Sequence, residues 1–164
     1  KVQSILGNLK KDLLEISPSR ELFIESYKDL AYGRSEKARQ LIKYSLEEIN
    51  SIELTGEHKL DFSKVNIEHI LPQEPKKWGL TKIEIKEYVN KIGNLTLLSR
   101  KLNSKIGNDI ISKKVVELEK SEIKITQDAV NIYKNENVWN EKIIDQRQLE
   151  LAKISYDKIW KINN

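Results

Sequence analysis

Asn66-Ile67-Glu68-His69-Ile70-Leu71-Pro72-Gln73 is the stretch on which the fold turns. Val65, Ile67, His69 and Leu71 alternate with Asn66, Glu68 and Ile70, the period-2 pattern of a short strand. Pro72 has no N–H to give to a ladder and ends it. The same period sets His69 and Glu68 on opposite faces. Downstream, Leu95, Thr96, Leu97 and Leu98 follow Gly93-Asn94 and read as a second short strand. Residues 73–80 hold Pro75 and Gly79 and read as loop. Thr81 and Glu84 form a capping box that predicts a helix over about 82–91, stopped by Gly93. Residues 100–105 are polar and predict a turn, and a helix is expected over about 109–119.

Outward from this island the periodicity is helical. Val2, Ile5, Leu6, Leu9 and Leu13 share one stripe. Ser17-Pro18 opens a second helix bearing Leu22, Phe23, Tyr27 and Leu30, which stops near Gly33. Ser35 caps a third with Ala38, Leu41, Ile42, Leu46 and Ile49. These predict a helical bundle. A short helix near 127–134 and a longer one near 140–161, with Ile143, Ile144, Leu151, Ile154 and Trp160 apolar, complete the chain. The expected organisation is one domain over 1–164: a helical part at 1–60, a core at 61–120 and C-terminal helices at 121–164.

The 164 residues have a mean hydropathy of −0.57 and 33% charged side chains. No run approaches the roughly 18 apolar residues of a membrane span. There is no cysteine, which excludes disulfides, thiolate metal sites and cysteine nucleophiles and suits the cytoplasm. There is no methionine and the chain begins at Lys1, so a fragment of a larger protein is expected. The net charge of +4 is carried by residues 61–120, with 12 basic and 8 acidic side chains. A local cationic surplus suits a polyanion, because each neutralised phosphate releases a counterion.

His69 therefore stands at a strand end inside the basic third. An imidazole with a pKa near 6.5 can accept a proton at neutral pH. Asn94 and Asn103 add carboxamide oxygens of the kind a hard cation accepts. Alone, these features also fit a hydrogen-bonded structural histidine. His58 reads as a surface residue, Trp78 as a lid over the core, Trp139 and Trp160 as packing residues, and Glu47-Glu48 as helix surface.

Taken together, Glu68-His69-Ile70-Leu71-Pro72-Gln73, Gly93-Asn94-Leu95-Thr96-Leu97-Leu98 and Asn103 resemble the HNH signature of the His-Me finger (ββα-metal) nucleases. The closer resemblance is to the C-terminal domain of GmrSD-type modification-dependent restriction endonucleases and related phage-defence proteins. The segment from Asn103 to Lys114 and the flanking helices share it. The resemblance implies a mainly α fold built around a short β-hairpin and a ββα-metal element. It implies a metal-dependent DNA endonuclease with Mg2+ or Mn2+, and an N-terminal ParB-like NTPase domain as partner in the full protein. His69 would be the general base. Asn94 would tie the two motif loops and help hold His69. Asn103 would bind the cation, with Glu68 at a position where many relatives carry the shorter aspartate. Lys105, Asn108, Lys113 and Lys114 would touch phosphates. The alternatives are an inactive module that only holds DNA or a partner domain, and a helical interaction domain with no strand pair near 65–71 and 94–99.

Overall fold

A computed structural model describes residues 2–33, 35–52 and 61–162. His58 lies outside the described residues. The expected hairpin is present. Strand β1 (Val65–His69) runs antiparallel to β2 (Leu95–Ser99), pairing Val65 with Ser99, Ile67 with Leu97 and His69 with Leu95. Helices surround it: α1 (Val2–Ile16), α2 (Arg20–Tyr27), α3 (Glu36–Ser51), the one-turn α4 (Lys82–Ile85), α5 (Arg100–Ile106), α6 (Ile111–Leu118), α7 (Lys124–Glu136) and α8 (Glu141–Ser155). The fold is mainly helical with one short two-stranded sheet. Among the described residues no helix is long and apolar enough to cross a membrane.

The core forms on both faces of the hairpin. Leu95, Leu97 and Val65 pack with Tyr27, Ile42, Leu46 and Leu151 from α2, α3 and α8. Leu98 instead meets Ile106, Val115 and Leu118 of α5 and α6 and Val130 of α7. A further cluster joins Ile70 and Leu71, just past β1, to Val89, Trp139, Ile143 and Ile144. Thr96 is fully buried because Thr126 of α7 bonds its hydroxyl at 2.9 Å and also donates to the Leu97 carbonyl.

Several caps expected from the sequence form. Ser35 accepts from the Ala38 amide, and Thr81 with Glu84 closes a reciprocal box. Four expectations are corrected. The stripe of α1 does not enter a bundle: no residue of α1 is buried, and Leu6 is 58% exposed. Periodicity fixes a helix and its apolar face but not what covers that face. The second helix begins later and ends sooner than expected, with Ser19 as its cap, and Leu22 points outward. The helix expected at 82–91 stops at Ile85 and continues as turns that deliver Val89 to the core, where the Asn90 carbonyl accepts from the Tyr32 amide at 2.8 Å. Residues 100–105 are not a turn but most of α5, capped by Ser99.

Gly93 occurs where two backbones nearly touch. A Cβ there would sit 2.0 Å from the Ile144 carbonyl oxygen and 3.0 Å from the Gln148 amide nitrogen, both in α8. Arg147 fastens the same junction from inside the core, donating to the Gly93 and Leu95 carbonyls at 2.7 Å each. Gly93→Ala is expected to destabilise the protein toward the upper end of the about 1–3 kcal/mol typical of overpacking, since no rotamer change relieves a backbone clash. Urea denaturation checks this, and an unchanged midpoint would mean that the two segments are not in contact.

Candidate active site

The end of β1 is held from three sides. Asn94 is fully buried and makes a side-chain clamp on the segment after His69. Its Oδ1 accepts from the Leu71 amide at 2.9 Å and from Trp139 Nε1 at 3.0 Å, and its Nδ2 donates to the Leu71 and Val89 carbonyls at 2.8 Å each. Its backbone carbonyl takes the Ile70 amide at 3.0 Å. The asparagine thus joins the strand end, the loop before β2 and the turn leading into α8. Trp139 was expected to pack, and it also orients this carboxamide.

From below, Lys114 of α6 reaches in with a fully buried side chain. Its Nζ donates to Glu68 Oε1 and to the His69 carbonyl, both at 2.7 Å. Burial raises the Glu68 pKa, against which the Lys114 charge pulls down; burial lowers the Lys114 pKa, against which Glu68 pulls up. The picture of Lys114 as a solvated lysine at a phosphate is corrected by this placement: it is an internal strut of the strand end. Lys105 and Lys113 are exposed on α5 and α6, and Asn108 is exposed between them. Of these four, among the described residues, only Lys114 reaches Glu68 and His69.

On the opposite face the His69 ring is partly buried. Tyr32 meets it edge-on, with ring centroids 5.0 Å apart and planes at 86°. Its Nε2 lies 3.1 Å from Asn90 Oδ1, which also accepts from Gln73 Nε2 at 3.0 Å. Burial lowers the imidazole pKa to about 4; the Lys114 charge adds to that, and the Asn90 bond opposes it. The ring is therefore neutral at pH 7. The unfolded ring, near 6.5, takes up a proton that the folded ring refuses until about 4. Stability is then expected to fall as pH drops through that window and to be flat in this respect above it. NMR titration of the His69 ring is expected to give a midpoint near pH 4; a midpoint above 6 would contradict the burial.

Tyr32 also borders a cleft of about 400 Å³ that α3, β1 and α5 share, lined by Arg39, Lys43, Asn66 and Asn103 among others. Asn103 is half-buried there. Asn66 and Glu68 lie on one face of β1 by strand alternation. Trp78 closes the loop on another side, donating from Nε1 to the Asp109 carbonyl at 3.0 Å. Sequence reading missed Asn90 as the partner of His69, because 21 residues separate them, and missed Gln73, which reaches the ring only through Asn90.

The family profile described as GmrSD restriction endonucleases, C-terminal domain, matches residues 18–154. The chain belongs to that family. The matched span holds the hairpin, the clamp and the cleft, while α1, with its uncovered stripe, lies outside it. No curated protein and no solved structure matches the chain. As a member of the GmrSD C-terminal family, the chain carries the domain type of a restriction endonuclease.

Glu68 stands at the strand end, while Asn103 lines the cleft beside Val65, Asn66 and Ile67; both offer the oxygen chemistry of a hard divalent cation. No group of three His, Cys, Asp or Glu side chains capable of holding a metal occurs among the described residues. Magnesium, however, keeps several waters and takes only one or two protein oxygens. The Glu68 carboxylate, of which Lys114 engages Oε1, and the Asn103 carboxamide are donors of the right chemistry.

Proposed function

We propose that this domain is an HNH-type (His-Me finger) endonuclease that hydrolyses phosphodiester bonds in DNA as part of a restriction system. The observation that carries the reading is His69: a partly buried imidazole at the end of a clamped strand, against Tyr32, which borders a cleft lined by Asn66 and Asn103 and by the ion-paired Arg39 and Lys43, in a chain of the GmrSD C-terminal family. His69 accepts the proton of the attacking water. A phosphodiester brought beside the ring stabilises the imidazolium and raises its proton affinity toward the range a base needs at neutral pH. Asn94 keeps the strand end rigid, so the ring does not have to be ordered when substrate arrives. Glu68 and Asn103 would hold Mg2+ or Mn2+, which supplies neutralisation of charge developing on the scissile phosphate and its leaving oxygen. Lys105, Asn108 and Lys113 are positioned on exposed surface to meet flanking phosphates. Replacing either lysine with alanine is expected to flatten the salt dependence of DNA binding by about one unit. An N-terminal ParB-like NTPase domain would supply regulation in the full protein.

The test is conversion of supercoiled plasmid by the purified protein with Mg2+ or Mn2+. Cleavage that EDTA abolishes, and that Asn103→Ala recovers only at higher metal concentration, is the expected result. DNA binding without cleavage under every metal condition would instead support the inactive DNA-holding module.

A further inference from the structure

We propose that Asn90 and Gln73 are positioning residues that fix the tautomer of His69, protonating Nε2 and leaving the Nδ1 lone pair to face the reacting water. The proposal rests on the reading of His69 as the base. A neutral imidazole has one nitrogen that donates and one that accepts, and the partner of one decides the other. Here the partner is a carboxamide oxygen. Asn90 Oδ1 lies 3.1 Å from His69 Nε2 and accepts from Gln73 Nε2 at 3.0 Å. An oxygen that receives the Gln73 amide on one lone pair has a second to offer, and only an Nε2–H ring can use it.

Asn90 is itself held. Its carbonyl accepts from the Tyr32 amide at 2.8 Å, and Tyr32 is the residue whose ring meets the imidazole edge-on. One residue thus sets the hydrogen bond to the ring and anchors the aromatic wall beside it. The clamp asparagine, Asn94, makes no such contact: its carboxamide is spent on Leu71, Val89 and Trp139. The two asparagines divide the work, Asn94 holding the backbone and Asn90 the ring. Gln73 follows directly on Pro72, so the loop that ends the strand also supplies the residue that orients Asn90.

The experiment is 15N NMR of histidine-labelled protein without metal or DNA, with the His69 signals assigned through a His58→Gln variant. Wild type is expected to show a protonated, pyrrole-type Nε2 and an unprotonated, pyridine-type Nδ1. Asn90→Leu is expected to bring both nitrogens toward averaged shifts and to slow single-turnover plasmid cleavage by at least about 10–100-fold, the range seen when a metal-ligating histidine loses its orienting partner. Asn90→Asp, which keeps the acceptor, is expected to restore the wild-type pattern. A wild-type ring protonated at Nδ1 would mean that both amides run the other way and overturns the proposal without recourse to a variant. So does an Asn90→Leu protein with wild-type shifts and rate. If the shifts change as expected while the wild-type protein cleaves no DNA, the tautomer assignment stands and the nuclease reading falls.

Discussion

Replacing His69 with alanine is expected to slow DNA cleavage by about 10²–10⁴-fold, the range supplied by a positioned general base. The effect should appear in the chemical step under single-turnover conditions, because the ring makes no contact expected to dominate DNA binding. The substitution also removes the Tyr32 edge contact and the Asn90 hydrogen bond, so some stability goes with it. Circular dichroism and a melting curve separate that effect from the chemical one. Added imidazole offers a second separation. A small base entering the vacated space should recover part of the rate in His69→Ala and none in wild type. An alanine variant that cleaves at the wild-type rate would remove His69 from the reaction.

Lys114→Ala is expected to destabilise the fold by about 3–5 kcal/mol, the usual cost of leaving one partner of a buried ion pair alone. The magnitude follows from burial: the Lys114 side chain is 0% exposed and that of Glu68 13%. Alanine would strand the Glu68 carboxylate and leave the His69 carbonyl without its 2.7 Å donor. The double variant Glu68→Leu with Lys114→Met should recover much of the stability, since an apolar pair of similar volume has no charge to desolvate. Urea denaturation of Glu68→Leu, Lys114→Met and the double variant closes the cycle. A Lys114→Ala midpoint equal to wild type would mean that the lysine is solvated after all. A phosphate-binding lysine would behave differently, weakening DNA binding and sparing stability.

How far these features could be read from the chain depends on the range of the interaction behind them. Strand alternation at 65–69 and the Thr81–Glu84 box are local and present in the fold, whereas the strand ends at His69, before Pro72, and Ile70 and Leu71 both turn inward. The misreading of α5 is local too. Leu102 and Ile106 are four apart and both turn inward, yet Arg100, Lys101, Asn103 and Ser104 dilute the pattern over a seven-residue helix. Lys114 was legible in principle. It falls on the stripe of Ile111, Val115 and Leu118, and a charge within an apolar stripe is a buried charge that needs a partner. Arg147 repeats the lesson among Ile143, Ile144 and Leu151. What no local pattern carries is the identity of the partner. Glu68 for Lys114, the Gly93 carbonyl for Arg147, and Asn90 for His69 are set by packing of distant segments. The uncovered stripe of α1 marks the same limit from the other direction.

The position of Lys114 also sharpens what the metal reading demands. One Glu68 oxygen already serves the lysine, so a cation has to share the carboxylate with an ammonium group or draw it away. Crystals of the protein soaked in manganese therefore test the account most directly. The expected result is an ion held by the Asn103 carboxamide and the Glu68 carboxylate beside the His69 end of the hairpin, visible by its anomalous signal. A map with no ion there, and with Glu68 bound to Lys114 alone, would contradict it.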